Sequence, residues 1–205
     1  DFGRDGALLK SLAARGSYPL AKAQTVENIF VTGMPRTGTT MVERLLCGAT
    51  AVASAGELPC FRTSLRQVSG ETGTAFITDV CGRTLDTKSS AEVSRLYHHN
   101  TRYLKDDCTV LLDKLPLNIL LTDQILHCLK NSVVVCLERH PLDTIVGNYR
   151  QLFSFTDGLY NYSLSLEDTA RFYLCFRDLT QRLARDYPER FYRVSYEALV
   201  QNPEC

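Results

Sequence analysis

The chain has 205 residues, with 23 Lys plus Arg against 23 Asp plus Glu, 44% hydrophobic and 22% charged residues. A chain of this size and make-up folds as one domain with an ordinary core. Its zero formal net charge argues against bulk nucleic-acid binding, which needs a cationic excess or face.

In chain order, residues 6–15 predict a short amphipathic helix, and Gly16 to Val26 predicts a linker. Asn28-Ile29-Phe30-Val31-Thr32 is an apolar run ending in Gly33, the signature of a buried strand. A glycine loop follows, and Thr39 to Cys47 predicts a helix with Met41, Val42, Leu45 and Leu46 inward. Ala51 to Ala55 reads as extended and ends at Gly56-Glu57-Leu58-Pro59; residues 60–90 are weakly patterned. Ser90 to Lys105 reads as helix, and Thr109 to Leu112 as a second buried strand ending at Asp113-Lys114. Pro116 suits the first turn of a helix running to about Lys130. Ser132 to Leu137 is the clearest strand, and Pro141 opens a helix expected to reach about Phe153. Gly158 to Ser163 reads as a loop, Ser165 to Tyr187 as a long helix with a capping-box start, and Arg190 to Ser195 as a last strand.

Strand and helix alternate, and the strands are apolar without interruption, so both sheet faces are covered. The expected fold class is α/β: three layers, P-loop-like, with a central, mostly parallel sheet flanked by helices. Ligands of such folds sit beyond the carboxyl ends of the strands, where Arg36, Lys114 and Arg139 cluster.

The eight cysteines form no C-x-x-C pair, which argues against a zinc knuckle. They read as reduced thiols of a cytoplasmic protein, with a disulfide-bonded Golgi-lumenal domain as the lesser reading. No apolar run approaches the ~20 residues of a membrane span, and no metal site is expected. With Asp1 in place of Met and an end at Cys205, the chain is expected to be a segment of something longer.

Strand, glycine loop and helix together make an anion trap, because the first N–H groups of the helix are unpaired and its dipole is positive there. Gly33-Met34-Pro35-Arg36-Thr37-Gly38-Thr39-Thr40 has the spacing of a nucleotide triphosphatase loop, G-x-x-x-x-G-K-[ST]. Its lysine position holds Thr39, and the cation has moved to Arg36. Only Asp113 and Glu138 offer strand-end carboxylates for magnesium, so a kinase or ATPase is the lesser reading; a non-catalytic nucleotide-binding relative is another.

With these motifs in order, the chain resembles the sulfotransferases that use 3′-phosphoadenosine 5′-phosphosulfate (PAPS). Phe30 to Thr40 resembles their 5′-phosphosulfate loop, and Glu138-Arg139-His140-Pro141-Leu142-Asp143-Thr144 with Asn148 to Phe153 resembles their 3′-phosphate segment. Asp113 to Pro116 and Tyr196 to Glu204 also match. The resemblance is strongest to bacterial sulfotransferases that carry tetratricopeptide repeats upstream, which are similar to tyrosylprotein sulfotransferases. It implies residues 1–27 as an N-terminal extension or linker and 28–205 as a C-terminally incomplete sulfotransferase domain.

The resemblance further implies that Pro35, Arg36, Thr37, Gly38, Thr39 and Thr40 hold the 5′-phosphosulfate and that Arg139 binds the 3′-phosphate. Glu57 falls at the position of a catalytic base. Lys114 falls at that of a lysine stabilising the transferring group, with Arg36 adding to the same field. PAPS would be the co-substrate and a peptide tyrosine, saccharide or small molecule the acceptor. One departure is Gly147, where the family has a serine that donates to the 3′-phosphate; Asn148 and Thr144 are the candidates to compensate. His98, His99, His127 and His140 are rival bases, Tyr160 and Tyr162 are expected to pack, and Tyr196 and Glu197 to anchor the last strand.

Overall fold

The computed structural model describes residues 2–16, 25–70, 81, 84–105, 107–154 and 160–202. Most of the expected 16–26 linker, the start of the loop at 158–163, and residues 203–205 lie outside these. Five strands, β1 (Asn28–Gly33), β2 (Val52–Gly56), β3 (Val110–Lys114), β4 (Ser132–Glu138) and β5 (Phe191–Ser195), form one sheet in the order β2-β3-β1-β4-β5. Every pairing is parallel. The described helices are α1 (Phe2–Ala13), α2 (Thr39–Leu46), α3 (Cys60–Ser69), α4 (Thr87–Thr101), α5 (Thr122–Cys128), α6 (Pro141–Tyr149), α7 (Leu166–Asp186) and α8 (Tyr196–Gln201).

Successive strand residues point to opposite faces, and the core divides accordingly. Phe30, Leu111, Val134 and Cys136 join the larger cluster with Leu9 and Leu12 of α1, Phe61 of α3, Tyr97 of α4 and Phe176 of α7. Their neighbours Val31, Leu112 and Leu137 face the other way, with Val42 of α2 and the partly buried Leu199 of α8. The sheet is therefore covered on both sides, as its uninterrupted apolar strands require. Two buried polar devices tie the larger layer together. Arg182 of α7 holds Asp123 of α5 through bonds of 2.7 and 2.6 Å, and Tyr187 donates to the same carboxylate at 2.7 Å. Arg190 donates to the carbonyls of Leu126, Leu129 and Ser132, closing the α5–β4 corner.

Four helices depart from expectation, the first of them α1, which spans Phe2–Ala13 where 6–15 was expected. The helix expected from Pro116 to about Lys130 is a 3-10 segment, Pro116–Leu121, followed by α5. Residues Leu117 to Leu126 are all buried, so packing overrides propensity along this stretch. The helix from Pro141 stops at Tyr149, where the Asn148 carbonyl accepts from the Gln151 N–H in a tightened last turn. The helix expected from Ser90 begins at Thr87, because Asp86 caps it by accepting from the Ser89 N–H at 2.7 Å.

β1 lies between β3 and β4, with Val31 beside Lys114 and Gly33 beside Leu137. After β1 the chain goes to one edge of the sheet and later to the other. In open parallel sheets ligands bind at such a reversal, which here lies beyond the carboxyl end of β1.

Candidate active site

The loop from Gly33 to Gly38 leaves β1 and enters α2. At Gly33, with φ 148, a Cβ would lie 2.6 Å from the Leu137 carbonyl oxygen, so β1 presses onto β4 as no side chain permits. At Gly38, with φ 100, a Cβ would lie 2.7 Å from the Tyr196 ring. Thr37 is buried, and its hydroxyl donates to the Met34 carbonyl at 2.8 Å, stiffening the loop from within. Pro35 and Thr39 are buried, whereas Arg36 and Thr40 are exposed. No side chain caps α2 and its first turn holds no acidic residue, so this helix mouth is left electropositive.

Arg36 is the one described non-glycine residue with positive φ, at 66. A left-handed conformation costs an L-residue about 1–2 kcal/mol, so its surroundings must impose it. They do so on both flanks. Asn148 of α6 donates from Nδ2 to the Pro35 carbonyl at 2.7 Å and to the Thr144 carbonyl at 2.8 Å, and its Oδ1 accepts from the Tyr162 hydroxyl at 2.9 Å. Arg139 donates to the Arg36 carbonyl at 3.4 Å. Gly147 lies directly against this loop; a Cβ there would sit 3.3 Å from the Arg36 Cβ.

The expectation that Asn148 or Thr144 replaces a missing serine hydroxyl is therefore corrected. The amide hydrogens of Asn148 are spent on two carbonyls, and the Thr144 hydroxyl donates to the Arg139 carbonyl at 3.3 Å. Both residues are fully buried. Asn148 instead positions the loop, a role the sequence does not signal because Pro35 lies 113 residues away. Tyr162 packs, as expected, stacked on Phe172 with ring centroids 3.7 Å apart.

Arg139 follows β4. Its guanidinium lies 4.6 Å from the centroid of the Tyr196 ring and donates to Asp143 at 3.2 Å. Its Nε is buried with no hydrogen-bond partner among the described residues, a donor that suits an anion. Below it, Glu197 accepts from the His140 N–H at 2.7 Å and from the Ser195 hydroxyl at 3.0 Å. The His140 N–H bond, with smaller help from Arg139, holds the Glu197 carboxyl below its usual range. Tyr196 and Glu197 thus brace the β4–β5 end, and Tyr196 also supports both Gly38 and Arg139.

Lys114 ends β3 with its side chain 8% exposed, and its Nζ donates to Glu57 Oε1 at 2.5 Å. Glu57 follows β2 and keeps 58% of its side chain exposed. The two meet across an irregular stretch of the β2–β3 ladder between Ser54 and Gly56. A second carboxylate, Glu43 of α2, stands 3.7 Å from Lys114 Nζ. Sequence reasoning missed Glu43, which is one acidic residue on an ordinary amphipathic helix.

Of the rival bases, His98, His99 and His127 are placed elsewhere, while His140 follows Arg139 and gives its N–H to Glu197. His98 and His127 line a pocket of about 490 Å³ with Glu27 and Asn131, at the ends where β1 and β4 begin. His99 and His140 are exposed. Of the two strand-end carboxylates considered for magnesium, Asp113 is fully buried and accepts from Tyr97 at 3.3 Å and Asn118 at 3.4 Å. Burial pushes it up to about 7. Glu138 is taken by Arg193 through two bonds of 2.8 Å and by Thr180 at 2.8 Å.

A family model described as the sulfotransferase family matches residues 28–205. The chain belongs to the sulfotransferase family. Among solved structures, it is similar to the sulfotransferase domain from the curacin biosynthetic pathway, with a TM-score of 0.54 and 17% identity over 89% of this chain and 71% of that one. A sulfotransferase from Alicyclobacillus acidocaldarius gives 0.50 and 13%, covering 90% of this chain and 77% of that one. At these identities the likeness is one of fold, and it agrees with the α/β architecture with helices on both faces. An uncharacterized protein of Aquifex aeolicus is 28% identical over 182 residues. The match takes in 86% of this chain and 24% of the Aquifex protein, so the chain spans about a quarter of that relative. No described helix is long and apolar enough to cross a membrane.

Proposed function

We propose that this chain transfers the sulfuryl group of PAPS to a hydroxyl or amine acceptor by in-line displacement. The acceptor oxygen or nitrogen forms a bond to sulfur while the bond from sulfur to the 5′-phosphate oxygen breaks. The electron pair of the broken bond stays on adenosine 3′,5′-bisphosphate, and the acceptor proton passes to Glu57. Little covalent chemistry falls to the protein, so positioning and electrostatic stabilisation carry the rate.

The observation that carries this reading is the Lys114–Glu57 contact of 2.5 Å, one strand away from the glycine loop. It sets a proton acceptor open to solvent beside a buried cation. In this reading Pro35, Arg36, Thr37, Gly38, Thr39 and Thr40 cradle the 5′-phosphosulfate. Thr37 does so through its backbone, since its hydroxyl is turned into the loop. Arg139, with its unused Nε, takes the 3′-phosphate, Gly147 admits the Arg36 stem beneath it, and Lys114 with Arg36 offsets charge on the leaving oxygen. The kinase reading is disfavoured by Thr39 in the lysine position and by the engagement of Asp113 and Glu138.

Residues 28–205 are taken as the catalytic unit and 1–27 as an extension, with upstream repeats and a cytoplasmic setting carried as part of the proposal. The test is Glu57→Ala, read by bisphosphate calorimetry and by transfer from labelled PAPS to a mixed pool of tyrosine peptides, saccharides and phenols. Bisphosphate affinity is expected within about twofold, while transfer falls by roughly 10²–10⁴. Equal loss of both would make Glu57 a structural residue and remove the proposed base.

A further inference from the structure

Resting on that reading, we infer that Glu43 is a positioning residue: the standing counter-ion that keeps Lys114 paired while Glu57 is engaged with the acceptor proton. Glu43 lies on α2 with its side chain 15% exposed, 3.7 Å from the Lys114 ammonium. Its other oxygen accepts from the Ser54 hydroxyl at 2.5 Å, and Ser54 Oγ in turn accepts from the Gly56 N–H at 3.0 Å. The strut therefore runs from α2 into the irregular end of β2, one residue before Glu57. One side chain both faces the cation and shapes the turn that carries the base.

The need for a second carboxylate follows from charge. In the resting arrangement one ammonium is shared by two carboxylates, so the group carries one excess negative charge. When the acceptor oxygen bonds to sulfur, its proton moves to Glu57, and Glu57 becomes neutral. Lys114, with 8% of its side chain exposed, would then be a nearly buried cation without a partner, a costly state. With Glu43 in place the pair Lys114–Glu43 remains, and the group is neutral at the moment when charge gathers on the leaving oxygen. Lys114 can turn from Glu57 toward the leaving group without losing its counter-ion. Glu43 acts through Lys114 and touches neither donor nor acceptor.

Two measurements test this. The first needs no acceptor. In a double-mutant cycle of Glu43→Gln and Glu57→Ala, read by urea unfolding, each single change leaves Lys114 one carboxylate and the double leaves none. The double variant is expected to change the unfolding equilibrium constant at least about tenfold beyond the product of the two single changes. That excess is expected to vanish when Lys114→Met is added. Additive losses, or an excess that persists without Lys114, would overturn the inference.

The second measurement is bisphosphate release from PAPS with 4-methylumbelliferone, a tyrosine peptide and chitobiose as acceptors. Glu43→Gln is expected to lower kcat at least about tenfold with the KM for PAPS and the bisphosphate Kd within about twofold. In the Lys114→Met background it is expected to have no further effect. A Glu43→Gln variant as fast as wild type, or one that loses donor affinity instead, would contradict the role. A wild-type chain that neither binds the bisphosphate nor turns over would sink the PAPS reading, while the unfolding cycle still decides the pairing of Glu43.

Discussion

Asn148 should prove a keystone of the phosphate loop rather than a ligand contact. Replacing it by Ala removes the donor to the buried Pro35 carbonyl, the donor to Thr144 and the acceptor for Tyr162. A buried carbonyl left unpaired costs about 1–3 kcal/mol, and a lost net hydrogen bond about 1 kcal/mol more. The expected loss for Asn148→Ala is therefore about 2–4 kcal/mol, and Tyr162→Phe, which leaves the buried Asn148 Oδ1 without this donor, should lose about 1–3 kcal/mol. Urea unfolding of both variants measures this, provided the m-value is unchanged. The same loop holds Arg36 in its left-handed conformation, so bisphosphate affinity of Asn148→Ala should fall at least about tenfold. A variant within ~0.5 kcal/mol of wild type, the range of featureless surface changes, would refute the argument that this latch orders the loop.

Gly38→Ala places a methyl group 2.7 Å from the Tyr196 ring at a φ of 100, and should cost about 1–3 kcal/mol. Adding Tyr196→Ala should recover part of that loss, as thermal unfolding would show; no recovery would mean the ring contact is not the source. Asp113, raised to about 7 by burial, binds a proton in the folded chain between about pH 4 and 7 that the unfolded chain does not hold. Its contribution is fully present below the unfolded value and is lost as pH rises through about 7. Asp113→Asn should therefore gain stability relative to wild type between pH 5 and pH 8 in urea titrations; a pH-independent difference would contradict the shift.

What the sequence disclosed was local. β1 and β4 are uninterrupted apolar runs closed by Gly33 and by Glu138-Arg139, and a buried parallel strand has few other signatures. The glycine loop, Arg139 and Lys114 were legible because each sits at a strand end, where such folds collect ligand groups. The partners of these residues were not. Glu57 and Lys114 lie 57 residues apart and meet only through the register shift at the end of β2, which no periodicity announces. Asn148 looked like a donor to ligand because its amide is versatile; only the packing of α6 against the loop shows both hydrogens committed. Glu43 was hidden for a similar reason, since a carboxylate midway along an amphipathic helix ordinarily faces solvent. The break between the 3-10 segment and α5 was masked because Leu117 to Leu126 are buried all round, Asn118, Thr122, Asp123 and Gln124 included, so the stretch shows no one-sided apolar face to read.

The glycine loop beyond β1 should take an adenosine nucleotide bearing phosphates at both the 3′ and 5′ positions. Calorimetry of the chain with adenosine 3′,5′-bisphosphate, beside adenosine 5′-phosphate and ATP–magnesium, tests it directly. Saturable binding of the bisphosphate without magnesium, weaker binding of the monophosphate, and loss of that preference in Arg139→Ala are expected. Binding of ATP that depends on magnesium, with none of the bisphosphate, would contradict it.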